Sequence, residues 1–430
     1  MGTRITVVGA GSTYTPELVE GFARRSERLP IDELVLLDID PERLEVVGGL
    51  ARRMLDRLGW PGRVTLTGDR DAALDGADFV LLQLRVGGQA ARQRDETWPH
   101  EYGTIGQETT GPGGLAKALR TVPVVLDIAE RARQRARPDA WIIDFTNPVG
   151  IVTRALLDAG HRAVGLCNVA IGLQRYFAGL LGTEPGQVAL DHVGLNHLTW
   201  ERAVTVGGED RLPGLLDGHA AEIAGFVHLP EGVLRETGTV PSYYLRHFWC
   251  HDEELAAQRS RPSRAQDVAG MEQELLAMYA DPALDRKPAL LEQRGGAYYS
   301  EAAVALLASL AGDRRDTQVV NLRNHGTLPF LPGDAVIEVP AVIGAGGPQA
   351  VPLAPVDPLL RGLIAHVSAY EELAVAAAVH GGRHRVLAAL LAHPLTGQFD
   401  KAEALTGRLL TENAAYLPWA GAAADGTAGD

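Results

Sequence analysis

Only two of the 430 residues are cysteine, Cys167 and Cys250. That excludes a disulfide scaffold and reads as two reduced thiols in a reducing compartment. Positive charge is also short: 40 Lys and Arg stand against 54 Asp and Glu, a formal net charge of −14. Nonspecific binding to nucleic acid or to an acidic membrane surface is therefore disfavoured, while a local basic pocket for an anion is compatible. No apolar run is expected to span a bilayer, and Met1 leads straight into a strand pattern rather than a signal peptide. No internal repeat is found. The expectation is a cytoplasmic protein that meets neither membrane nor nucleic acid.

What is present is ordinary for a soluble globular chain: 46% hydrophobic and 22% charged residues. The length is too great for one simple core and suits two intimately packed domains. The first half alternates. Strand patterns at 4–8, 33–38, 63–67, 77–83, 140–144 and 163–166 are separated by helical patterns at 16–25, 41–58, after Gly114 and from Pro148. The strands show little apolar/polar alternation, as in a parallel sheet buried on both faces. This predicts an α/β, Rossmann-like doubly wound sheet, of the lactate/malate dehydrogenase kind, over residues 1–195. Residues 196–420 read as a second α/β domain rich in helices. Strand-like pieces lie near 188–206 and 318–322, and long helical patterns near 265–279, 300–311, 358–379 and 401–416. Residues 421–430 are expected to be a frayed tail.

Gly9-Ala10-Gly11-Ser12 follows the first strand. Gly9 and Gly11 permit a tight turn and close backbone approach to a pyrophosphate, and the next helix offers free amides to the anion. Asp38, ending the second strand, is placed to accept hydrogen bonds from a ribose, favouring NAD over NADP. Tyr14 stands where the third glycine of G-x-G-x-x-G would be. A lone G-x-G is weak; its place between strand and helix, with the acid following, is what makes the dinucleotide reading strong.

Cys167 and His197 are candidate metal ligands. Singly, each is more often a core thiol or a satisfied polar group. Cys167, however, ends an apolar strand, and open α/β sheets bind ligands at the carboxyl ends of their strands. Two protein ligands leave positions open for substrate oxygens. Thiolate and imidazole suit zinc on softness; water and hydroxyls also suit manganese.

Together these segments resemble glycoside hydrolase family 4, the NAD- and metal-dependent glycosidases. The matching stretches are Gly9–Leu18, Gly106-Gln107-Glu108-Thr109-Thr110-Gly111-Pro112-Gly113-Gly114, Phe145-Thr146-Asn147-Pro148, Cys167-Asn168-Val169, Asn196-His197, Tyr244-Leu245-Arg246 and Arg294–Ser300. The family stands outside the two-carboxylate scheme of most glycosidases.

The resemblance implies NAD-dependent oxidation at C3 of the sugar, deprotonation at C2, elimination of the C1 group, water addition and re-reduction. It implies a divalent metal, expected to be manganese, on Cys167 and His197. It makes Tyr244 the C2 base and puts NAD on Gly9, Gly11, Ser12 and Asp38. Asn147 is implied near the substrate hydroxyls, and Arg92 and Arg264 near the sugar or its phosphate. Asn168, following the metal cysteine, resembles the 6-phospho-β-glucosidases, so the implied substrate is a phosphorylated disaccharide or aryl glycoside. A homodimer or homotetramer is the expected assembly. Three other readings stay open: a family hydrolase of unphosphorylated α-galactosides or glucuronides, a lactate/malate-type dehydrogenase, and a non-catalytic NAD sensor. Tyr243 is the neighbouring competitor of Tyr244, and in an extended segment the two rings are expected to point opposite ways.

Overall fold

The structure, a computed structural model, describes residues 2–295 and 298–422. The tail expected at 421–430 lies, from residue 423 onward, outside the described residues, as do Gly296 and Ala297 of the last quoted stretch.

Six short strands build the first part of the main sheet: β1 (Arg4–Val8), β2 (Glu33–Leu37), β3 (Arg63–Thr67), β4 (Phe79–Leu82), β5 (Trp141–Asp144) and β6 (Ala163–Gly165). They pair in parallel in the order β3-β2-β1-β4-β5-β6. That is the doubly wound order in which the chain reverses direction between β1 and β4, opening a crevice at the carboxyl ends of the strands. Every residue of β2 and β4 is buried, as expected for a sheet covered on both faces; β3, on the edge, is partly exposed.

A hairpin, β7 (Val188–Leu195) and β8 (Leu198–Val206), starts a second sheet, with β9 (Glu209–Asp210) and β10 (Val240–Pro241) paired to β8. The main sheet then continues with strands from the second half: β11 (Asp316–Arg323), β12 (Val336–Gly344) and β13 (Gly347–Ala350), all antiparallel, with β11 against β6. Ile5, Leu34, Val80 and Ile143 therefore share one apolar core with Val320, Ile337 and Val339. β12 packs on β7, bringing the second sheet against the extension of the first. The periodicity did not show β12, because Glu338 and Pro340 interrupt its apolar run; both sit in register opposite Asn321 and Val319.

One helix, Pro358–His380, is long and apolar enough by length and composition to cross a bilayer, against the expectation that no segment would be. Half of it is buried, and Leu360, Ile364, Val367, Tyr370 and Ala374 face the interior. It packs on the helices Gly111–Arg135 and Arg383–Ala392, as the core helix of a globular chain does.

Candidate active site

The carboxyl ends of β1, β4, β5 and β6 open into one cleft of about 2130 Å³, well above the roughly 300–1,000 Å³ of a typical small-molecule site. After β1 the chain turns at Gly9, whose φ is +85°; a Cβ there would come within 2.9 Å of the Leu84 backbone. Only glycine fits both constraints. The Gly11 amide donates to Asp38 Oδ2 at 2.7 Å, and the Asp40 amide donates to Oδ1 at 3.0 Å. Asp38 thus braces the turn as well as lining the cleft. Ser12 Oγ accepts from the Tyr14 amide at 3.3 Å. The ring of Tyr14, in place of a third glycine, packs edge-on against Tyr299 at 6.1 Å between centroids. A bulky residue is tolerated because a helix of the second half, Tyr299–Gly312, lies against Thr15–Arg24. Glu272, on the helix Arg264–Tyr279, reaches the same loop, accepting from Thr13 Oγ1 at 3.4 Å and from Arg294 at 2.9 Å.

Cys167 lies just past β6. It is 6% exposed and sits behind the cleft wall rather than among the residues that line it. Burial, helped by the Glu338 carboxylate, pushes its thiol well above the usual range, while the backbone amides of Val169 and Asn168 and the Asn196 side chain oppose the shift. His197 occupies the two-residue turn between β7 and β8 with φ +64° and lines the cleft. Its Nδ1 meets Thr109 Oγ1 at 3.0 Å. Burial draws the imidazole down to about 4, so the ring is neutral.

Tyr244 stacks on His197, with centroids 3.7 Å apart and planes 13° apart. Contrary to the expectation of an extended segment, Tyr243–Leu245 is a turn of 3₁₀ helix. The Leu245 amide closes on the Ser242 carbonyl, while the Ser242 amide still pairs with Thr199 of β8. The two tyrosine rings accordingly lie side by side, 4.4 Å between centroids and tilted by 31°. Burial raises both phenols, Tyr243 to about 12 and Tyr244 further, and the Cys167 thiol adds to the effect on each. Neither ionises here without a compensating cation.

A charged wall completes the cleft. Glu108, from the Gly-Gln-Glu stretch, pairs with Arg85, with Lys117 at 2.6 Å and with Arg92 at 3.1 Å. Burial alone would raise Glu108, yet these three cations hold its carboxyl well below the usual range. Lys117 is drawn down to about 7 by burial and by Arg85, against Glu108. Arg92 also meets Glu96 at 2.7 Å, and its guanidinium is within electrostatic reach of Tyr244. Arg264 is exposed at the rim, donating through Nη2 to the carbonyls of Gln293 and Arg294. Asn147 precedes the cis Pro148 and lines the cleft, and its buried Oδ1 has no hydrogen-bond partner. Asn168 lines the cleft as the N-cap residue of the helix Val169–Leu181. Cys250 is half-buried and is not among the lining residues.

Residues 4–183 match the model of the Family 4 glycosyl hydrolase, and residues 192–396 match that of its C-terminal domain. The chain belongs to glycoside hydrolase family 4. A 6-phospho-beta-glucosidase of Escherichia coli (strain K12) is 36% identical over 433 residues, covering 96% of each chain. The 6-phospho-beta glucosidase of Thermotoga maritima, solved with manganese, NAD+ and glucose-6-phosphate, superposes with a TM-score of 0.90 at 32% identity over 96% of this chain and 99% of that one. A malate dehydrogenase of Salinibacter ruber, 19% identical over 88% of this chain and 97% of its own, reaches 0.51 and shows the expected dehydrogenase-like fold.

Within this family 4 chain, sequence reasoning missed a buried network behind the His197 turn. His192, 0% exposed, meets Glu201 at 2.6 Å and Glu338 at 3.1 Å. Asn196 and Asn321 each donate to Glu338 at 2.9 Å. Nothing in the local pattern links positions 192, 201 and 338. His247 was also missed, although its spacing of three from Tyr244 was a signal.

Proposed function

We propose that the protein hydrolyses 6-phospho-β-glucosides with NAD and a divalent metal, manganese being the expected ion. The observation that carries this reading is the stack of Tyr244 on His197, beside Cys167, in the same crevice as the Gly9–Gly11 turn. The similarity of the whole chain to enzymes named for that substrate supports it.

The donor set fits a metal. Thr109 holds His197 by Nδ1, which leaves Nε2 for a ligand, and a buried thiol beside Glu338 becomes a thiolate only opposite a cation. With Cys167 and His197 as its two protein ligands, a bound ion would take substrate or water at its remaining positions. When bound, the metal supplies Lewis-acid polarisation of a substrate oxygen, and NAD supplies reversible hydride transfer.

The chain's own residues take the remaining roles. Tyr244 removes the C2 proton, its phenol eased toward ionisation by Arg92; a bound metal would add to that effect. Gly9, Gly11, Ser12 and Asp38 bind the dinucleotide. Asn147 offers its unpaired Oδ1 to a substrate hydroxyl, and Asn168 stands at the sugar. Arg264 is the stronger candidate for the phosphate: no ion pair occupies it among the described residues, whereas Arg92 is already held by two carboxylates. The division into a nucleotide-binding domain over 1–195 and a substrate domain over 196–420 belongs to this reading, as do a homodimer or homotetramer and a cytoplasmic setting. The free thiols support the last.

The test is a panel of nitrophenyl glycosides with NAD+ and Mn2+. The 6-phospho-β-glucoside should be cleaved at least about a hundredfold faster than its unphosphorylated counterpart, the worth of a pair of charge-assisted hydrogen bonds. Equal rates would remove the phosphate specificity and leave only the family.

A further inference from the structure

One side chain in the cleft wall is buried without partners. His247, on the short helix Arg246–Trp249, is 1% exposed and lines the cleft. Both of its ring nitrogens are buried, and neither has a hydrogen-bond partner among the described residues. Buried polar atoms are nearly always paired, so an unpaired imidazole facing a cleft points to a ligand that pairs it.

Its place relative to the reacting groups is fixed. Residues three apart on a helical segment share a face. Tyr244 and His247 do so, with ring centroids 6.1 Å apart, and Tyr244 in turn stacks on His197. The Glu254 carboxylate stands 4.0 Å from His247 Nδ1. That is too long for a hydrogen bond, yet close enough to favour the proton on Nδ1. Glu254 is itself held by Gln258 at 3.0 Å, Arg261 at 3.3 Å and Arg246 at 3.6 Å. With the proton on Nδ1, the free acceptor of the ring is Nε2.

We propose that His247 is a substrate-binding residue whose Nε2 accepts a hydrogen bond from a sugar hydroxyl held against Tyr244. A hydroxyl is required because the glycosidic oxygen and a phosphate dianion only accept. The proposal rests on the reading that the substrate is a phosphorylated glucoside.

The experiment titrates glucose 6-phosphate and its 2-, 3- and 4-deoxy analogues into wild type and His247→Phe, each with NAD+ and Mn2+ bound. His247→Phe should weaken glucose 6-phosphate by about tenfold or more. NAD+ affinity and Tm should hold, because a ring of similar size replaces an imidazole with no protein partner. One deoxy analogue should bind wild type as weakly as glucose 6-phosphate binds the variant, and should bind the two proteins equally. That analogue identifies the hydroxyl. Should phenylalanine not be accommodated, His247→Asn, too short to reach, is expected to show the same loss.

Unchanged glucose 6-phosphate affinity in both variants would overturn the proposal. So would a loss accompanied by lowered Tm and lowered NAD+ affinity, which marks a structural residue, or a loss that no deoxy analogue reproduces. If wild type itself fails to bind glucose 6-phosphate, the substrate reading falls, and this proposal falls with it. Normal wild-type binding with unaffected variants removes the His247 assignment alone.

Discussion

Replacing Glu338 by Gln tests the buried network behind the His197 turn. The Glu338 carboxylate is 1% exposed and receives three hydrogen bonds, from His192, Asn196 and Asn321. Glutamine has nearly the same shape but only one acceptor oxygen, and its amide meets at least one of those donors head-on. Breaking a buried ion pair from one side costs about 3–5 kcal/mol. Because Glu201 still holds His192 and some hydrogen bonds survive, about 2–3 kcal/mol is the expected loss here. At about 2 °C per kcal/mol for a chain of this length, Tm should fall by about 5 °C. The pH dependence is more telling. Burial alone would lower the pKa of His192, but Glu201 and Glu338 outweigh it and raise the imidazole to about 10. A group raised on folding gives stability that is fully present below its unfolded value of about 6.5 and is lost as pH climbs through the folded value. The variant's folded value should drop toward the unfolded one. Its deficit should therefore be largest near pH 6–7 and should narrow toward about pH 10. Urea unfolding of both proteins across that range measures it. A deficit independent of pH would show that His192 is not held protonated by Glu338, and the electrostatic reading of the network would be abandoned.

Cys167→Ser and His197→Ala should each weaken Mn2+ by about tenfold or more and abolish turnover, while NAD+ titrates nearly as in wild type; near-normal activity after chelation and manganese add-back would remove either ligand. Tyr244→Phe deletes only a hydroxyl, so folding should be unchanged, yet C2 proton exchange should vanish. Wild type in D₂O should place deuterium at C2 of the product, whereas a two-carboxylate glycosidase breaks no ring C–H bond; normal exchange by the variant would pass the role to Tyr243, whose ring lies 4.4 Å away. Gly9→Ala forces a methyl to 2.9 Å from the Leu84 backbone at a φ of +85°. It should cost about 2 kcal/mol of stability and most of the NAD+ affinity, and an alanine variant with wild-type binding would refute the close-approach argument.

The parts of the site that were legible in the sequence are those written locally. Arg4–Val8 followed by Gly9 and Gly11 encodes a buried strand and a left-handed turn within eight residues, and Asp38 closes the next strand. Cys167 was singled out because it ends an apolar run, and it does lie just past the end of β6. What stayed hidden depends on residues far apart. β12 was missed because Glu338 and Pro340 break the apolar pattern, although the carboxylate is there to hold His192 and two asparagines. The opposite orientation expected of Tyr243 and Tyr244 in an extended segment does not occur, because Tyr243–Leu245 is a 3₁₀ turn that follows β10 directly. The pairing of Ser242 with Thr199 ends that strand and starts the 3₁₀ turn. Residue types alone do not reveal that pairing.

On the proposed reading, one metal site takes a ligand from each half of the chain. Cys167 hangs from the end of β6, and His197 from the β7–β8 turn in the second sheet. No strand is common to both. The link is made by β11 and β12. β11 pairs with β6 through Asn321 and Gly165, and Asn321 binds Glu338 on β12. Glu338 in turn holds Asn196, and the Asn196 side chain offsets part of the rise in the Cys167 thiol. One carboxylate thereby ties the β6 edge of the main sheet to the β7–β8 turn through two asparagines. Burial, helped by the same carboxylate, raises the Cys167 thiol, which stays protonated unless a cation faces it. This arrangement needs the sheet to run unbroken from the nucleotide-binding strands into the second half, and the antiparallel extension β11–β13 provides that continuity.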